Sequence, residues 1–294
     1  PPLKMLATYA MQGYTFARKR APPFQCALDR PPPRADEAQN GLGAPMGRYF
    51  VNLPCRYVAK DHSYLEYYQW RKINPELGLD PIALDTLDED WHKRLANALH
   101  KEGLLCSIHL PFHDLQPGSI DEYILHSTRQ RLKKAIRIAS LYEPRFLVAH
   151  ANFIPLYGDL YSFWFRRSVR TWEEVLGEWP DHPPLYLENV REYDPGPLAD
   201  MVAELQHQKV RFCFDLGHWA SYSGGVQYNN LSLWIQTMGQ HLAHLHLHDN
   251  DGVADQHLGL GQGRIPWPEL FSGLELLDLR PGLTLEPHTK EDLH

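Results

Sequence analysis

From residue 49 onward, short apolar and β-branched runs alternate with amphipathic stretches of helical length. The runs fall at 49–53, 73–79, 105–112, 146–151, 185–190, 210–216, 242–248 and 282–287. Helix-like segments lie near 88–101, 122–140, 160–178, 197–207, 231–240 and 267–277. In the second of these, Ile124, Leu125, Leu132, Ala135, Ile136 and Ala139 make one apolar stripe opposite Arg and Lys, the signature of a helix with one buried face. Strands alternating with helices in this way predict an α/β fold: a parallel (β/α)8 barrel, the TIM-barrel architecture, in a single domain. An open doubly wound sheet would want a glycine-rich loop after its first strand, and here Leu53 is followed by Pro54-Cys55-Arg56.

The two ends depart from this pattern. Residues 1–47 carry 8 of the 24 prolines, show no sustained period, and have no acidic residue before Asp29. They contain no apolar h-region of a signal peptide. A loose Pro-rich extension over 1–47 is therefore expected, with Met46 opening the folded unit and the barrel filling 48–294. At the other end the chain stops at His294, a few residues past the last run, so a missing or unusual final helix is expected.

Composition narrows the function classes. No run of 18 apolar residues exists, so no membrane span is predicted. With 29 basic against 36 acidic residues and a net charge of -7, a broad basic face for nucleic acid is not expected. Cys26, Cys55, Cys106 and Cys213 form no CxxC pair and read as buried thiols of a reducing compartment, which predicts a cytoplasmic protein. The count of 17 His matters only if the histidines converge.

They do converge along the strand ends. The third run contains Ser107-Ile108-His109, the fourth ends near His150, and the fifth near Glu188-Asn189. The sixth ends Asp215-Leu216-Gly217-His218. The seventh carries His244, His246 and His248, then Asp249-Asn250, with Asp255-Gln256-His257 in its loop, and the eighth ends at Glu286. In a barrel these C-terminal strand ends form one rim. Carboxylates and imidazoles gathered there need a compensating cation, because isolated buried charges cost several kcal/mol each. Nitrogen and oxygen donors of this kind suit divalent Zn, Mn, Fe or Co.

The order H, H, E, DxxH, H, DxH, E resembles the xylose-isomerase-like barrel superfamily, and in particular its endonuclease IV branch, over about residues 48–294. The resemblance implies up to three metal ions, zinc foremost. His109 and His150 would bind the first, with Glu188 bridging to a second completed by Asp215, His246 and Glu286. His218, Asp255 and His257 would hold the third. A metal-bridged hydroxide would then cleave a phosphodiester, with Glu188, Glu286 and Asp215 as the catalytic carboxylates. The blocks 109–119 and 246–250 are similar to cobamide-remodelling phosphodiesterases, which implies the nucleotide-loop phosphodiester of a corrinoid as substrate.

Sugar isomerases and epimerases share the fold and four of these ligands. On that alternative Glu188, Asp215, His246 and Glu286 hold one Mn or Mg, and Glu188 with Glu286 moves protons at a sugar carbon. A non-catalytic binder using the same face is the third class. Near three metals per chain favours hydrolysis and near one favours isomerisation.

Other residues are weighed beside these. Glu76, His113, Asp114, Asn189, His248 and Asp249 are candidates for orienting ligands or touching substrate. Glu76 reads equally as a surface carboxylate, and Asp114 with His113 as turn chemistry. His244 shares the parity of His246 and reads as a hydrogen-bonded core histidine. The aromatic segment with Trp164 and Trp172 reads as core, and Arg166, Arg167 and Arg170 as phosphate contacts or a solvated face.

Overall fold

Eight parallel strands pair in sequence order and close on themselves, β1 against β8. A computed structural model of the chain describes residues 49–287, apart from Ile154 and the side chain of Leu156. The expected extension over 1–47, Cys26 and the chain end at 288–294 lie outside the described residues. The strands are β1 (Tyr49–Pro54), β2 (Pro75–Gly78), β3 (Ser107–His109), β4 (Leu147–His150), β5 (Leu185–Glu188), β6 (Val210–Asp215), β7 (Leu242–Leu247) and β8 (Gly282–Leu285). All eight expected runs are strands, though ladder pairing stops earlier than the apolar character does, most clearly after His109.

The helices alternate with them. After β1 come α1 (Cys55–Lys60) and α2 (Ser63–Arg71), and after β2 come α3 (Pro81–Thr86) and α4 (Glu89–Lys101). Then follow α5 (Glu122–Ala139), α6 (Tyr161–Leu176), α7 (Gly196–Glu204), α8 (Leu216–Ala220), α9 (Gly225–Tyr228), α10 (Leu231–Met238) and α11 (Trp267–Leu276). Aspartates cap three of these helices: Asp80 accepts from the Ala83 amide ahead of α3, Asp88 from that of Trp91 ahead of α4, and Asp121 from those of Tyr123 and Ile124 ahead of α5. The pattern did not predict α2, because only Leu65 and Tyr68 of its nine residues are buried and no stripe forms. In α5, Ile124 faces solvent while the remaining stripe residues Leu125, Leu132, Ala135, Ile136 and Ala139 are buried.

The main core is the layer between strands and helices. Trp164 and Trp172 of α6 lie fully buried in it, as the aromatic spacing predicts. Trp172→Ala is expected to cost about 3–5 kcal/mol, the usual range for truncating a large core aromatic, read as a lowered denaturant midpoint. Arg167 of the same helix pairs with Glu122 of α5, and Arg170 pairs with Glu174 one turn on in its own helix on an exposed face. Inside the barrel a second cluster, Phe50, Phe146, Val148 and Cys213, surrounds His244 from below. Among the described residues, no helix is long and apolar enough to cross a membrane.

Candidate metal centre

Strand register brings the rim residues side by side. His150 of β4 stands opposite Glu188 of β5, and Asp215 of β6 opposite His246 of β7. Leu247 pairs with Leu285, which delivers Glu286 one residue beyond the end of β8. Asp215 ends β6 and caps α8 by accepting from the His218 amide at 2.6 Å. The DxxH spacing is thus the geometry of a cap and its third residue, and both side chains reach the same rim.

Glu188 is the hub. Its Oε2 lies 3.1 Å from His109 Nε2 and 3.4 Å from His150 Nε2, and its Oε1 lies 2.9 Å from His218 Nδ1. His246 Nδ1 faces Glu286 at 3.1 Å, Glu188 at 3.6 Å and Asp215 at 3.8 Å. His257 Nε2 pairs with Asp255 at 3.2 Å, and its Nδ1 meets the Glu286 carbonyl at 2.8 Å. His257 adopts φ +52°, a left-handed backbone uncommon outside glycine that turns the ring back onto the rim.

Several triads offer donor atoms within 4.8 Å of one another: His109/Glu188/His246, Glu188/Asp215/His218, Asp215/His246/Glu286 and His248/Asp255/His257. The nine expected ligands therefore share one rim, with two adjustments. His150 contacts Glu188 but belongs to none of these triads. His248, not His218, stands with Asp255 and His257 in its triad, although His218 Nε2 still lies 3.6 Å from Asp255.

The remaining candidates separate clearly. Asn189 is buried and clasps Asp215 from both sides, its amide donating to the Asp215 carbonyl and its oxygen accepting from the Asp215 N–H, each at 2.9 Å. His248 is buried with Nε2 3.3 Å from Asp215 Oδ1. A Cβ on Gly217 would fall within 1.8 Å of the His248 ring, so only glycine lets that ring reach the site. Asp249 is a loop clamp: it accepts from the amides of Asn250, Gly261 and Ile265 and from the Trp267 indole, and its backbone bridges Leu258. His113 and Asp114 are exposed in a turn after β3; His113 stacks on Phe112 and Asp114 sits at φ +60°. Glu76 is no surface carboxylate but is buried inside the barrel beneath His246. His244 is a core histidine, bonded to the Thr284 hydroxyl at 2.7 Å, and burial pushes it down to about 3, so it stays neutral.

Burial works against charge at every rim group, and the neighbours overcome it at most of them. His150 and His246, with hydrogen bonds from His109 and His150, hold the Glu188 carboxyl well below the usual range. His246 does the same for Glu286, and His218 with His257 for Asp255. In return Asp215, Asp255 and Glu188 push His218 well up, and Asp255 with Glu286 raises His257 to about 9. His150 is the exception, driven down by burial. Glu188, Glu286 and Asp255 are therefore held ionised, their charge met by protons on His218, His246 and His257.

A cation fits here. Asp215 Oδ2, Asp255 Oδ1 and both ring nitrogens of His246 and of His248 are buried without a hydrogen-bond partner. Native proteins leave few such atoms unpaired, and an ion is one standard resolution. Because a ligating imidazole must be neutral, metal uptake is expected to expel protons. Apparent affinity should rise with pH as His246 and His218, both held well above the ordinary histidine value, and His257, raised to about 9, give up their protons. The metal-free protein should show the opposite trend. A histidine raised from its ordinary 6.5 stabilises the fold fully below that value, and this contribution is lost as pH rises through about 9. Isothermal titration in buffers of different ionisation enthalpy, with thermal melts over the same range, checks both signs.

Comparison with known proteins places this geometry. Residues 73–293 match the family described as xylose isomerase-like TIM barrel. The uncharacterised protein MJ1311 of Methanocaldococcus jannaschii is 27% identical over 176 residues, 57% of this chain, and the match spans 59% of the length of MJ1311. A D-tagatose 3-epimerase-like protein superposes with a TM-score of 0.67 at 21% identity, covering 83% of this chain and 92% of that one. D-psicose 3-epimerase from Clostridium cellulolyticum H10, solved with D-tagatose, gives 0.63 at 17% identity over 82% and 84%. At these identities the likeness to solved structures is one of fold.

These findings correct the expected branch. The similar barrels of stated activity are sugar epimerases, so membership of the endonuclease IV branch, cobamide phosphodiester cleavage and a phosphodiesterase activity are withdrawn. The rim itself serves either chemistry. His109 and His218, expected as ligands of a first and third metal, lie within hydrogen-bond distance of Glu188 and are oriented by backbone carbonyls, Leu110 for His109 and Asn189 for His218. Their presence does not by itself require a multinuclear hydrolase. With three quarters of its length matched by one family, the chain belongs to the xylose isomerase-like TIM barrels.

Proposed function

We propose that this chain is a metal-dependent sugar isomerase or epimerase, with Glu188, Asp215, His246 and Glu286 holding one divalent ion. The observation that carries the reading is the meeting of Glu188 and Glu286 around His246 Nδ1, at 3.6 and 3.1 Å, with both carboxyls held below the usual range. Zinc or manganese suits this nitrogen and oxygen set, with iron or cobalt as further first-row candidates. When bound, the ion supplies Lewis-acid polarisation of a sugar carbonyl.

The protein groups then do the proton work. An ionised Glu188 or Glu286 takes the proton from the carbon beside the carbonyl, and the electron pair moves to the carbonyl oxygen. The other carboxyl, ionised in the resting protein, takes a proton from solvent once the enediolate charge has formed beside it and delivers that proton to the carbon from the opposite face, which inverts that centre. Return to the former carbonyl carbon instead, with the hydroxyl proton of the first carbon passing to the former carbonyl oxygen, moves the carbonyl and gives isomerisation. Asn189 fixes Asp215 so that its carboxylate stays aimed at the centre. The epimerases that share the fold support a small sugar as substrate, and the unpaired thiols of Cys55, Cys106 and Cys213 support a reducing, cytoplasmic setting.

The test is a panel of free ketoses and their phosphates, offered to the metal-loaded protein and read by chromatography of the product sugars. Conversion of at least one sugar to its epimer or isomer is expected. No conversion of any sugar by protein shown to contain its metal would contradict the reading.

A further inference from the structure

Beneath the rim lies a polar group that the proposed proton transfer does not use. Glu76 of β2 is 1% exposed inside the barrel. Its Oε2 accepts from the Ser107 hydroxyl at 3.1 Å and from the Thr284 hydroxyl at 2.9 Å, and Thr284 in turn meets His244 at 2.7 Å. Register builds this arrangement: Glu76 stands opposite Ser107, and Thr284 opposite His246. Two hydroxyls thus pin one oxygen, and the other, Oε1, sits 3.0 Å from Nε2 of the fully buried His246.

We infer that Glu76 is a positioning residue for the metal centre, fixing the proton of His246 on Nε2 so that the Nδ1 lone pair is free for the ion. This rests on the reading of His246 as a ligand. His246 presents Nδ1 to Glu188, Asp215 and Glu286, all three of which would otherwise draw a proton onto that nitrogen. A carboxylate on the far side of the ring supplies the opposing pull. The N–H is not aligned on Oε1 as a formed hydrogen bond, so the negative charge of Glu76, acting across 3.0 Å in the buried interior, carries the preference. Glu76, His244 and His246 also offer donor atoms within 4.8 Å of one another, but two hydroxyls hold Glu76 Oε2 and His244 is turned to Thr284, so the interior group acts as support for the rim.

The claim separates charge from shape. Glu76→Gln keeps the size and the hydroxyl partners but removes the charge, whereas Glu76→Leu removes both. Zinc affinity of the full chain, measured by competition with a chromophoric chelator, is expected to fall roughly 10–100-fold in both variants, as for other groups that support a ligating histidine. Melting in excess chelator reports folding separately, and Glu76→Gln is expected to melt close to the unmodified protein. Nitrogen-15 NMR of the zinc-loaded protein should show His246 protonated on Nε2, and should show that preference weakened in Glu76→Gln. Zinc binding by Glu76→Gln within twofold of the unmodified protein, or a proton-free Nε2 in the unmodified one, would overturn the role. An unmodified chain that binds no divalent ion overturns the centre and Glu76 with it. A chain that binds zinc but converts no sugar overturns epimerisation alone, and the variant comparison still decides the role of Glu76.

Discussion

Glu188→Gln is expected to lower turnover of the sugar substrate by about 10²–10⁴-fold, the range contributed by a positioned general acid or base, and to reduce the metal content of the purified protein. Both effects follow from one position. Glu188 is buried to 1% exposure and touches His109, His150, His218 and His246, so its charge organises most of the rim. A neutral amide of the same shape removes a proton acceptor and an anionic ligand together. It also leaves a buried amide N–H2 facing histidine nitrogens that had been held as donors. Glu286→Gln should cost a similar factor in turnover with a smaller loss of metal, since Glu286 meets only His246, His248 and His257. Steady-state kinetics beside metal counting separates the two. Turnover within tenfold of the unmodified protein in Glu188→Gln would remove its role as acid or base.

Chelation should have the next largest effect. Removing the ion leaves a rim whose carboxylates are neutralised by protons on His218, His246 and His257, with no group able to polarise a carbonyl. Activity should fall to background and return on adding a first-row divalent ion. Stability should move with it. Saturation at a hundredfold excess over Kd contributes about 2.7 kcal/mol, or roughly 5–10 °C in Tm for a domain of this size. The shift should shrink below neutral pH, where protons hold the imidazoles against the metal. An identical Tm with and without the ion at neutral pH would contradict a site built from these residues.

Most of the fold and the rim was legible in the sequence, for reasons that particular residues make plain. Each strand is a short apolar run bounded by turns, so the period-2 and period-3.6 signals alternate cleanly from Tyr49 to Leu285. Residues that end parallel strands must meet at one barrel rim, so His109, His150, Glu188, Asp215, His246 and Glu286 could be grouped without coordinates. What escaped depends on contacts that spacing does not encode. Glu76 lies one residue into a four-residue strand, too short for parity to distinguish inside from outside. Asp249 reads from sequence as a residue orienting ligands or touching substrate, whereas the amides of Asn250, Gly261 and Ile265 converge on it in the loop. His248 is distinguished from His218 as the partner of Asp255 and His257 only by the way the loop after β7 folds back. Short blocks such as 109–119 point to hydrolysis, but the ligand set they accompany is common to barrels of different activity. The same carboxylates and imidazoles serve hydrolysis and proton transfer alike.

The most direct test of metal-dependent proton transfer by Glu188 and Glu286 is solvent isotope exchange. Metal-loaded protein is incubated in D2O with a ketose from the panel, and deuterium at the carbons beside the carbonyl is followed by NMR. The account predicts incorporation at one such carbon, lost on chelation and in both Glu188→Gln and Glu286→Gln. Substrate turned over with no deuterium gained at any carbon, or exchange that persists in Glu188→Gln, would contradict it.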